Sequence, residues 1–498
     1  MNGRGYGEAG QDGHSGRRGQ DGAGRIDHHG AMNPSPPRDS LLWLVAIAVF
    51  MQMLDTTIVN TALPAMARGL GESPLRMQAV VIAYSLTVAI LIPASGWLAD
   101  RFGTRAVFLA AIVLFTLGSL GCALSQSLAQ IVGARIVQGI GGAMLLPVGR
   151  LAVLRTFPGA GFLRAMSLVT MPGLAGPMIG PTLGGWLVEA ASWHWIFLIN
   201  LPMGLVGLVW AVRVMPDLRG EPGRRFDLGG YVLLATGMVA VLLALDGLPL
   251  RRGGYGVLCG LFGVGVLAIL AYARHARRST QPLFPPALLD VRLFRVGVSG
   301  NLVSRLGSSG MPFLIPLLLQ VALGYSALQA GLMMIPVAAA SMFIKRPAVW
   351  LIGRYGYRNV LVVNTFLVGL AMASFGLIGP GHPVWLLVVQ FAAFGAVNSL
   401  QFTAMNTVAL RDLKGTLASS GNSALSMVMM LSMSLGVAIA SGLLAFFSGL
   451  SVAGGEVSVL AGFQATFVCI GLLSALSAAI FWRLGDDAVR APQAPIDV

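Results

Sequence analysis

The chain has 498 residues, of which 56% are hydrophobic and only 10% are charged. A soluble domain carries about 25% charged residues, so this composition excludes an ordinary soluble protein and indicates a polytopic membrane protein. The formal net charge is +14, but most basic residues fall in the tails, in loops on one side and at helix ends. That asymmetry follows the positive-inside rule, so we expect the charge to set topology and not to bind nucleic acid.

Fourteen apolar runs follow an N-terminal stretch of 40 residues that is rich in Gly, Arg, His and Asp and lacks periodicity. Residues 1–40 are therefore predicted to be a disordered tail, and no signal peptide is expected to be removed. Each run is long enough to span a bilayer as a helix. The predicted spans are 41–63, 78–99, 106–125, 129–152, 164–188, 195–215, 229–246, 255–274, 295–320, 327–350, 359–379, 383–409, 419–447 and 461–483. An even number returns both termini to one side, and the basic tail assigns that side to the cytoplasm.

The first span carries a carboxylate, Asp55, in its second half. Burying an acid there costs roughly 2.5–3.5 kcal/mol, so we expect Asp55 to face a partner, a cavity or a proton. In the fourth span, Arg135 and Gln138 lie on the same helix face, and Arg135 lies at about the same depth in the membrane as Asp55. Two interpretations remain open: a pair that switches as Asp55 gains and loses a proton, and a permanent structural ion pair.

The loop after the second span and the fifth span both carry glycine-containing patterns. Asp100, Arg101 and Arg105 lie at the loop, where an acid can interact with the positive N-terminus of another helix; an ordinary anchoring loop is the alternative. In the fifth span, glycines recur every four residues with prolines between them. This pattern favours a close seam between helices that can bend, although generic close packing explains the glycines alone. The seam residues are Gly173, Gly176, Pro177, Gly180, Pro181 and Gly184.

An internal repeat predicts how the spans are organised. The stretch 97–105 (WLADRFGTR) is echoed 253 residues later by 350–358 (WLIGRYGYR). Two six-helix halves alone would repeat at a shorter offset, so we infer two extra helices between them. The predicted units are a tail (1–40), an N-terminal six-helix bundle (41–215), two inserted helices (216–293), a C-terminal six-helix bundle (294–483) and a second tail (484–498). Transporters built from repeated halves bind substrate near the bilayer midplane.

The ninth span places Asn301, Arg305 and Ser308 on one face, with Arg305 near the midplane. Arg305 either contacts an anionic substrate or caps the carbonyls of a broken helix. Methionines of the thirteenth span offer adaptable apolar surface, or simply fill the core. The side chains that we assign to a substrate cavity are Gln52, Gln138, Asn301, Arg305, Ser308, Asn398, Met427 and Met430.

Four motifs in order resemble the fourteen-helix drug:proton antiporters (EmrB/QacA-like group) of the major facilitator superfamily. They are 54–64 (LDTTIVNTALP), 96–105 (GWLADRFGTR), 173–186 (GLAGPMIGPTLGGW) and 193–204 (WHWIFLINLPMG). The resemblance implies an all-α polytopic membrane protein with the major facilitator fold, two pseudo-symmetric six-helix bundles and two inserted helices. It further implies that Asp55 is the protonation site, that Arg135 eases proton exchange and that 173–184 is the antiporter seam. Asp100 would latch the halves through the helix start near Gly415–Gly421, and only on one side, because Gly353 replaces the acid in the second copy.

These observations predict a secondary transporter that exports small amphipathic compounds in exchange for protons. The alternatives are proton-coupled export of organic anions or metal-carboxylate chelates, favoured by Arg305, Lys345 and Arg346, and a proton symporter for uptake. No Walker motif, nucleophile–base pair or metal-ligand cluster is present in the sequence, so we expect no enzyme, no cofactor and no metal. The isolated residues Cys122, Cys259 and Cys469 are expected to be packing residues.

The expected location is the bacterial cytoplasmic (inner) membrane, since nearly all basic residues are Arg, as in a GC-rich bacterial genome. The expected partners are the small-molecule substrate, protons and the lipid bilayer, with no nucleic acid. We expect a monomer; accessory outer-envelope partners are not predicted either way.

Overall fold

Every regular element that the computed structural model describes is a helix. The described residues are 38–157, 160–219, 226–247, 254–413, 416–453 and 459–482. The helices are α1 (Arg38–Leu70), α2 (Gln78–Phe102), α3 (Thr104–Ala123), α4 (Leu128–Thr156), α5 (Ala160–Ala190), α6 (Trp195–Leu198), α7 (Asn200–Val214), α8 (Leu228–Gly247), α9 (Gly254–Ala276), α10 (Ala287–Asp290), α11 (Arg292–Ser308), α12 (Met311–Leu317), α13 (Ala327–Leu332), α14 (Ile335–Phe343), α15 (Lys345–Ser374), α16 (Val384–Leu410), α17 (Thr416–Ala453), α18 (Val459–Leu476) and α19 (Ala478–Phe481).

The predicted all-α polytopic architecture is confirmed. Within the described residues, twelve helices are long and apolar enough to cross a bilayer. The long helix α5 and the apolar stretch Ala327–Phe343 are further apolar helices. The predicted count of fourteen spans is therefore compatible with the structure and stays a prediction. The two predicted tails lie outside the described residues, except that α1 begins at Arg38, three residues before the first predicted span.

Several predicted spans are interrupted where the sequence breaks the helix. The ninth span is divided into α11, α12 and a π-helical turn, Leu318–Ala322. Pro312 and Pro316 lie in α12, and each removes one helical hydrogen bond. Conversely, α15 runs through the predicted loop after the tenth span. Its backbone leaves the helical region at Gly356, where φ is 75°, a conformation that favours glycine.

The internal repeat predicted from the sequence has a matching geometry. Gly103, which separates α2 from α3, has a φ of 89°, and Gly356 occupies the same position in the second copy. Trp97 meets Phe102 edge to face with ring centroids 6.3 Å apart, and the equivalent aromatic pair at 350 and 355 has the same spacing and arrangement. The two copies therefore end their helices with the same turn. The predicted domain boundaries stay predictions.

The packing differs between the two ends of the molecule. We call the end at which α1 and α5 finish the distal face, and the end at which α1 begins the proximal face. Toward the distal face, one continuous apolar cluster includes Ile58 and Leu63 of α1 together with Phe313, Phe391 and Val437 of the C-terminal half. At the proximal face, the buried residues of each apolar cluster come from one half, although Met430 of α17 packs beside the N-terminal one. A small cluster of Ala89, Met238 and Met427 also joins α2 to α17 through α8. Within the described residues, the most extensive apolar contact between the halves is therefore the distal one.

Candidate functional site

Asp55 lies at the centre of a buried polar cluster. Its side chain is fully buried, and its carboxylate accepts three hydrogen bonds. Oδ2 accepts from Arg135 Nη1 at 2.6 Å, and Oδ1 accepts from Gln138 Nε2 at 2.8 Å and from Asn200 Nδ2 at 3.0 Å. The donors come from α4 and α7. All three hydrogen bonds to the acid therefore form only when α1, α4 and α7 pack together.

Ser119 of α3 completes what we call the Asp55 cluster: Asp55, Ser119, Arg135, Gln138 and Asn200. Its hydroxyl oxygen accepts from Gln138 Nε2 at 2.7 Å and from Asn200 Nδ2 at 3.2 Å. The Gln138 side-chain oxygen accepts from Arg135 Nη1 at 2.7 Å. All five residues are at most 1% exposed, so this polar network is buried in this conformation.

Arg135 is held by contacts other than the ion pair. Its Nε donates to the carbonyl oxygen of Val80 at 3.2 Å, and its guanidinium carbon lies 4.3 Å from the ring centroid of Tyr84. A cation over an aromatic face is attracted by the ring quadrupole, more so away from water. These contacts come from α2, so Arg135 has partners besides Asp55 and Gln138.

Glycines allow α2, α3 and α4, the helices around the Asp55 cluster, to pack closely together. A Cβ atom at Gly118 of α3 would lie 2.5 Å from the backbone nitrogen of Gln138, and one at Gly141 of α4 would lie 2.5 Å from the carbonyl oxygen of Ala111. On the next face of α4, a Cβ at Gly142 would lie 2.6 Å from the Tyr84 hydroxyl. Because these positions lack side chains, the backbones approach closely, and short polar side chains can meet.

The cluster can exist in two electrostatic states. With Asp55 charged, it contains one anion and one cation joined by charge-assisted hydrogen bonds, which are stronger than neutral ones. A proton on Asp55 would leave Arg135 without its counter-charge, and would place a hydroxyl donor opposite Arg135 at Oδ2, or opposite Gln138 and Asn200 at Oδ1. Such a change in a buried network is worth several kcal/mol, enough to favour a different helix arrangement.

Gln52 lies nearly one turn before Asp55 on α1. Its Nε2 donates to the carbonyl oxygen of Gly142 at 2.9 Å, while its side-chain oxygen is buried without a partner in the described residues. Gln138, which was also assigned to the substrate cavity, is a member of the Asp55 cluster, and its cavity role stays a prediction. Both glutamines therefore lie in the N-terminal half, next to the acid.

The C-terminal half places two incompletely satisfied polar side chains on α11. Asn301 is buried and donates to the Gly297 carbonyl at 3.0 Å, but its Oδ1 has no partner within the described residues. Arg305 Nε is likewise buried and unpartnered there. The Arg305 guanidinium carbon lies 5.2 Å from the Phe402 ring centroid, and no ion pair to this arginine occurs in the described part of the chain. A buried donor of this kind favours an incoming acceptor.

The remaining predicted cavity residues lie on three helices of the C-terminal half, α11, α16 and α17. Ser308 and Asn398 are half-buried. Met427 is buried against Ala89 of α2 and Met238 of α8, and Met430 packs beside that cluster; their cavity role stays a prediction. One recess, of about 560 Å³, lies at the proximal end of α1, α4 and α5, and none of the predicted cavity residues lines it.

A second buried polar network in the C-terminal half was not anticipated. Gln401 Nε2 donates to Thr365 Oγ1 at 2.5 Å, and its side-chain oxygen accepts from Asn364 Nδ2 at 2.8 Å. Ser304 of α11 accepts from Gln401 Nε2 at 3.4 Å. This network ties α11, α15 and α16 together and contains no ionisable group.

Asp100 pairs with Arg155 and not with the helix start named above. Asp100 Oδ1 accepts from Arg155 Nη2 at 2.6 Å, at a partly exposed position. Of the expected partner segment, Gly415 lies outside the described residues, and Gly421 packs against apolar side chains. Arg101 is exposed at the end of α2, and Arg105 donates to the Val212 carbonyl. The latch role of these residues stays a prediction.

The glycines of α5 lie against α1. A Cβ at Gly176 would lie 2.8 Å from the backbone nitrogen of Leu54, and one at Gly184 would lie 2.7 Å from the carbonyl oxygen of Ile58. Gly180 faces Thr57 at still shorter range. These contacts flank Asp55, so movement of α5 along α1 would act directly on the acid-bearing helix. Gly173 and Pro177 also lie in α5, and Pro177 is exposed.

The distal end of α5 joins the two halves through α13. Glu189 Oε1 accepts a hydrogen bond from the Leu328 backbone nitrogen at 2.7 Å. Thr182 Oγ1 donates to the Gly331 carbonyl oxygen at 3.2 Å, and Gly331 also lies against the Pro181 carbonyl. Glu189 was not predicted from the sequence, because an acid near the end of a helix is common and does not indicate which residue it contacts.

Two further site residues were missed for different reasons. Asn200 stands inside the 193–204 motif, at the start of an apolar helix, and a polar residue there was an available signal. Ser119 offered none, because serine is common in membrane helices.

Comparison with known proteins gives consistent matches along the chain. The family profile described as Major Facilitator Superfamily matches residues 45–437. A protein of Serratia proteamaculans (strain 568), named MdtD and described as a candidate multidrug resistance protein, is 50% identical over 446 residues, covering 90% of this chain and 93% of the relative. Its counterpart in Pectobacterium atrosepticum, with the same description, is 48% identical over 453 residues, covering 90% and 96%.

Solved structures share the fold at low sequence identity. A peptide transporter (POT) solved in complex with sulfate has a TM-score of 0.67 at 16% identity and covers 90% of this chain and 95% of that one. A D-xylose–proton symporter has a TM-score of 0.64 at 14% identity, covering 90% and 98%. The human organic anion transporter MFSD10 (TETRAN) has a TM-score of 0.58 at 17% identity, covering 90% and 100%. At these identities the likeness establishes the fold alone.

Proposed function

This chain belongs to the major facilitator superfamily, and from that premise we propose that it is a proton-coupled antiporter that exports small amphipathic compounds. Membership makes the chain a multi-pass membrane transporter and not an enzyme. The direction of transport, the coupling ion and the substrate class are the proposed parts. The observation that carries the proton coupling is the fully buried Asp55 cluster.

Asp55 is the proposed proton site because it is a membrane-buried acid with a single cationic partner. Arg135 alone supplies the counter-charge, while Gln138 and Asn200 are neutral donors. An ionisable residue inside a membrane is a functional-site hypothesis by default. Proton binding at Asp55 would weaken its hold on α4 and α7, and release would restore it.

We propose that alternating access moves the two halves about the contacts of α5. The conformation described here has its most extensive apolar contact between the halves at the distal face, and we assign it to the state that opens to the cytoplasm, with the proximal face cytoplasmic. Both termini would then lie in the cytoplasm, with the protein in the bacterial inner membrane. Proton exchange with the outside would require the distal contacts, including Glu189 with Leu328, to open.

The proposed substrate class, small amphipathic compounds, follows from the relatives and from the apolar character of the interior. The MdtD relatives carry a multidrug resistance description, which applies to those proteins and supports the proposal here. Methionine-rich surface on α17 adapts to ligands of different shape.

Export of organic anions is the second candidate, because Arg305 presents a buried nitrogen without a partner among the described residues. An anionic group would satisfy both this donor and the positive charge, at less cost than burying an unpaired cation. The Asp55 cluster is compatible with either substrate class, since it lies in the other half.

Transport into proteoliposomes with an imposed pH gradient tests the main proposal. Wild type should move members of a panel of cationic dyes and organic acids against their gradients, and collapse of the pH gradient should stop it. Asp55→Asn should insert into the membrane but lose the pH-driven component. Normal pH-driven transport by this variant would rule out Asp55 as the proton site.

The same panel separates the two substrate classes through Arg305. If organic anions are the substrates, Arg305→Ala should weaken binding of the anions about tenfold or more and leave cation binding unchanged, since a buried ionic contact is worth roughly 1.5–3 kcal/mol. Arg354→Ala, which removes an exposed arginine of the same half, is the matched control. Equal binding of anions by wild type and Arg305→Ala would remove the second candidate.

A further inference from the structure

The end of α9 carries a concentration of positive charge beside the membrane. Arg274, Arg277 and Arg278, together with Leu270 and Ala273, line a recess of about 330 Å³. All five residues are exposed. We call this set the α9 patch.

The patch lies where the apolar part of α9 ends. The apolar span is Gly256–Ala276, and only 11% of its most apolar stretch is buried inside the protein. Above the arginines, Val264, Leu267 and Leu270 are all more than half exposed. The recess therefore has guanidinium groups at the level of the lipid headgroups and an open apolar helix surface beside them, toward the bilayer core.

The positive charge of the α9 patch is not neutralised within the described part of the chain, where none of its arginines forms an ion pair. The nearby acid, Asp227, is otherwise engaged. Its Oδ1 lies 2.7 Å from His275 Nε2 and accepts from the Gly230 amide at 2.9 Å, and its Oδ2 accepts from the Leu283 amide at 3.1 Å. Burial raises the pKa of Asp227, but these hydrogen bonds outweigh it and hold the pKa below its usual value. Asp227 therefore stabilises the start of α8 and its contact with the end of α9, and does not pair with the arginines.

The same contacts fix the segment that bears the arginines. Asp227 precedes α8, so its bond to His275 joins the two inserted helices at this end. The Phe284 amide donates to the Tyr272 hydroxyl at 3.1 Å. This bond holds the segment that follows the arginines against α9. A preorganised basic recess loses less entropy when it binds an anion than a flexible loop would.

We propose that the α9 patch is a binding site for an anionic phospholipid. The phosphodiester headgroup is held by Arg274, Arg277 and Arg278, and the acyl chains lie along the exposed apolar face of α9. Guanidinium groups bind phosphate oxygens through paired hydrogen bonds, and basic residues next to a membrane span attract anionic lipids. A free phosphate ion would use the arginines but not the apolar face, so the lipid is the occupant that matches both parts of the recess.

Native mass spectrometry of the full-length protein in detergent, incubated with phosphatidylglycerol or phosphatidylcholine, tests the site. Wild type should retain phosphatidylglycerol at least threefold better than phosphatidylcholine. The triple variant Arg274→Gln/Arg277→Gln/Arg278→Gln should lose that preference. The control Arg213→Gln/Arg219→Gln/Arg354→Gln removes three exposed arginines elsewhere and should keep it.

A single substitution guards against a folding defect in the triple variant. Ala273→Glu puts a carboxylate into the recess at an exposed position and should reduce phosphatidylglycerol retention, whereas the neutral Ala273→Gln of nearly the same size should not. Equal losses in the patch and control triple variants would overturn the proposal, as would unchanged retention by Ala273→Glu. Displacement of the lipid by inorganic phosphate at equal concentration would assign the site to a free anion and also overturn it.

Discussion

Separate removal of the two charges at the Asp55 cluster gives the sharpest test of the buried pair. In Asp55→Asn, an amide nitrogen replaces one carboxylate oxygen, so at least one of the donors from Arg135, Gln138 and Asn200 loses its acceptor. Arg135 is also left as an unpaired buried charge. In Arg135→Gln, the unpaired charge is the carboxylate. In the double variant, no charge remains in the cluster.

The magnitudes follow from the burial of both partners, which are 0% and 2% exposed at their side chains. Breaking a buried pair by removing one partner costs about 3–5 kcal/mol, whereas removing both is often close to neutral. We therefore expect each single variant to lower the free energy of unfolding by about that amount, and the double variant to be more stable than either. The exposed pair of Asp100 and Arg155 is the control, and neutralising either partner should cost less than about 1 kcal/mol.

Stability is measured by chemical unfolding in detergent micelles, and transport by pH-driven flux in proteoliposomes. If Asp55 is the proton site, Asp55→Asn/Arg135→Gln regains stability but no pH-driven transport. If the pair is only structural, the double variant regains both, and this result would refute the proton role. Single-variant costs below about 1 kcal/mol would refute the argument from burial itself.

Two further predictions concern the contacts of α5. Gly176→Ala should destabilise the protein by about 1–3 kcal/mol, because its Cβ would overlap the α1 backbone. The control is Gly133→Ala, where no atom lies within 4 Å of the added Cβ; it should be neutral or stabilising by up to about 1 kcal/mol. Equal unfolding midpoints for the two variants would contradict the close seam between α5 and α1. Glu189→Ala should open the distal face, since a net hydrogen bond is worth about 0.5–1.5 kcal/mol. A cysteine placed at Thr182, in a background without the three native cysteines, should then react several-fold faster with a maleimide, and an unchanged rate would exclude a closing role for Glu189.

Local sequence properties were sufficient for the helices and for the repeat. A run of about 20 apolar residues must form a helix in a membrane, because its backbone groups have no water to bind. The turn at Gly103 and its repeat at Gly356 were recognisable because glycine and the flanking aromatic residues recur together. The interruption of the ninth span was less accessible, since hydropathy averages over Pro312 and Pro316.

The partners of the charged groups were only partly predictable. The equal depth of Asp55 and Arg135 in their two helices was enough to predict that they could be in contact. It was not enough to identify Asn200, whose contact with Asp55 depends on the rotation of α7. For Asp100, resemblance indicated the other half, while the structure supplies Arg155 from its own half. Whether that pair is exchanged in another conformation depends on the relative position of the halves.

The amino-acid sequence by itself determined that this chain crosses a membrane many times, that it repeats, and that an acid is buried in its first span. These are properties of single segments, because hydropathy and helical periodicity depend on neighbouring residues. Only the tertiary structure decided which donors surround Asp55, that Glu189 joins the halves, and that the arginines of α9 remain unpaired among the described residues. Those outcomes depend on the distance and rotation between helices, which are set by where glycines let backbones approach and by how each side chain finds a partner away from water.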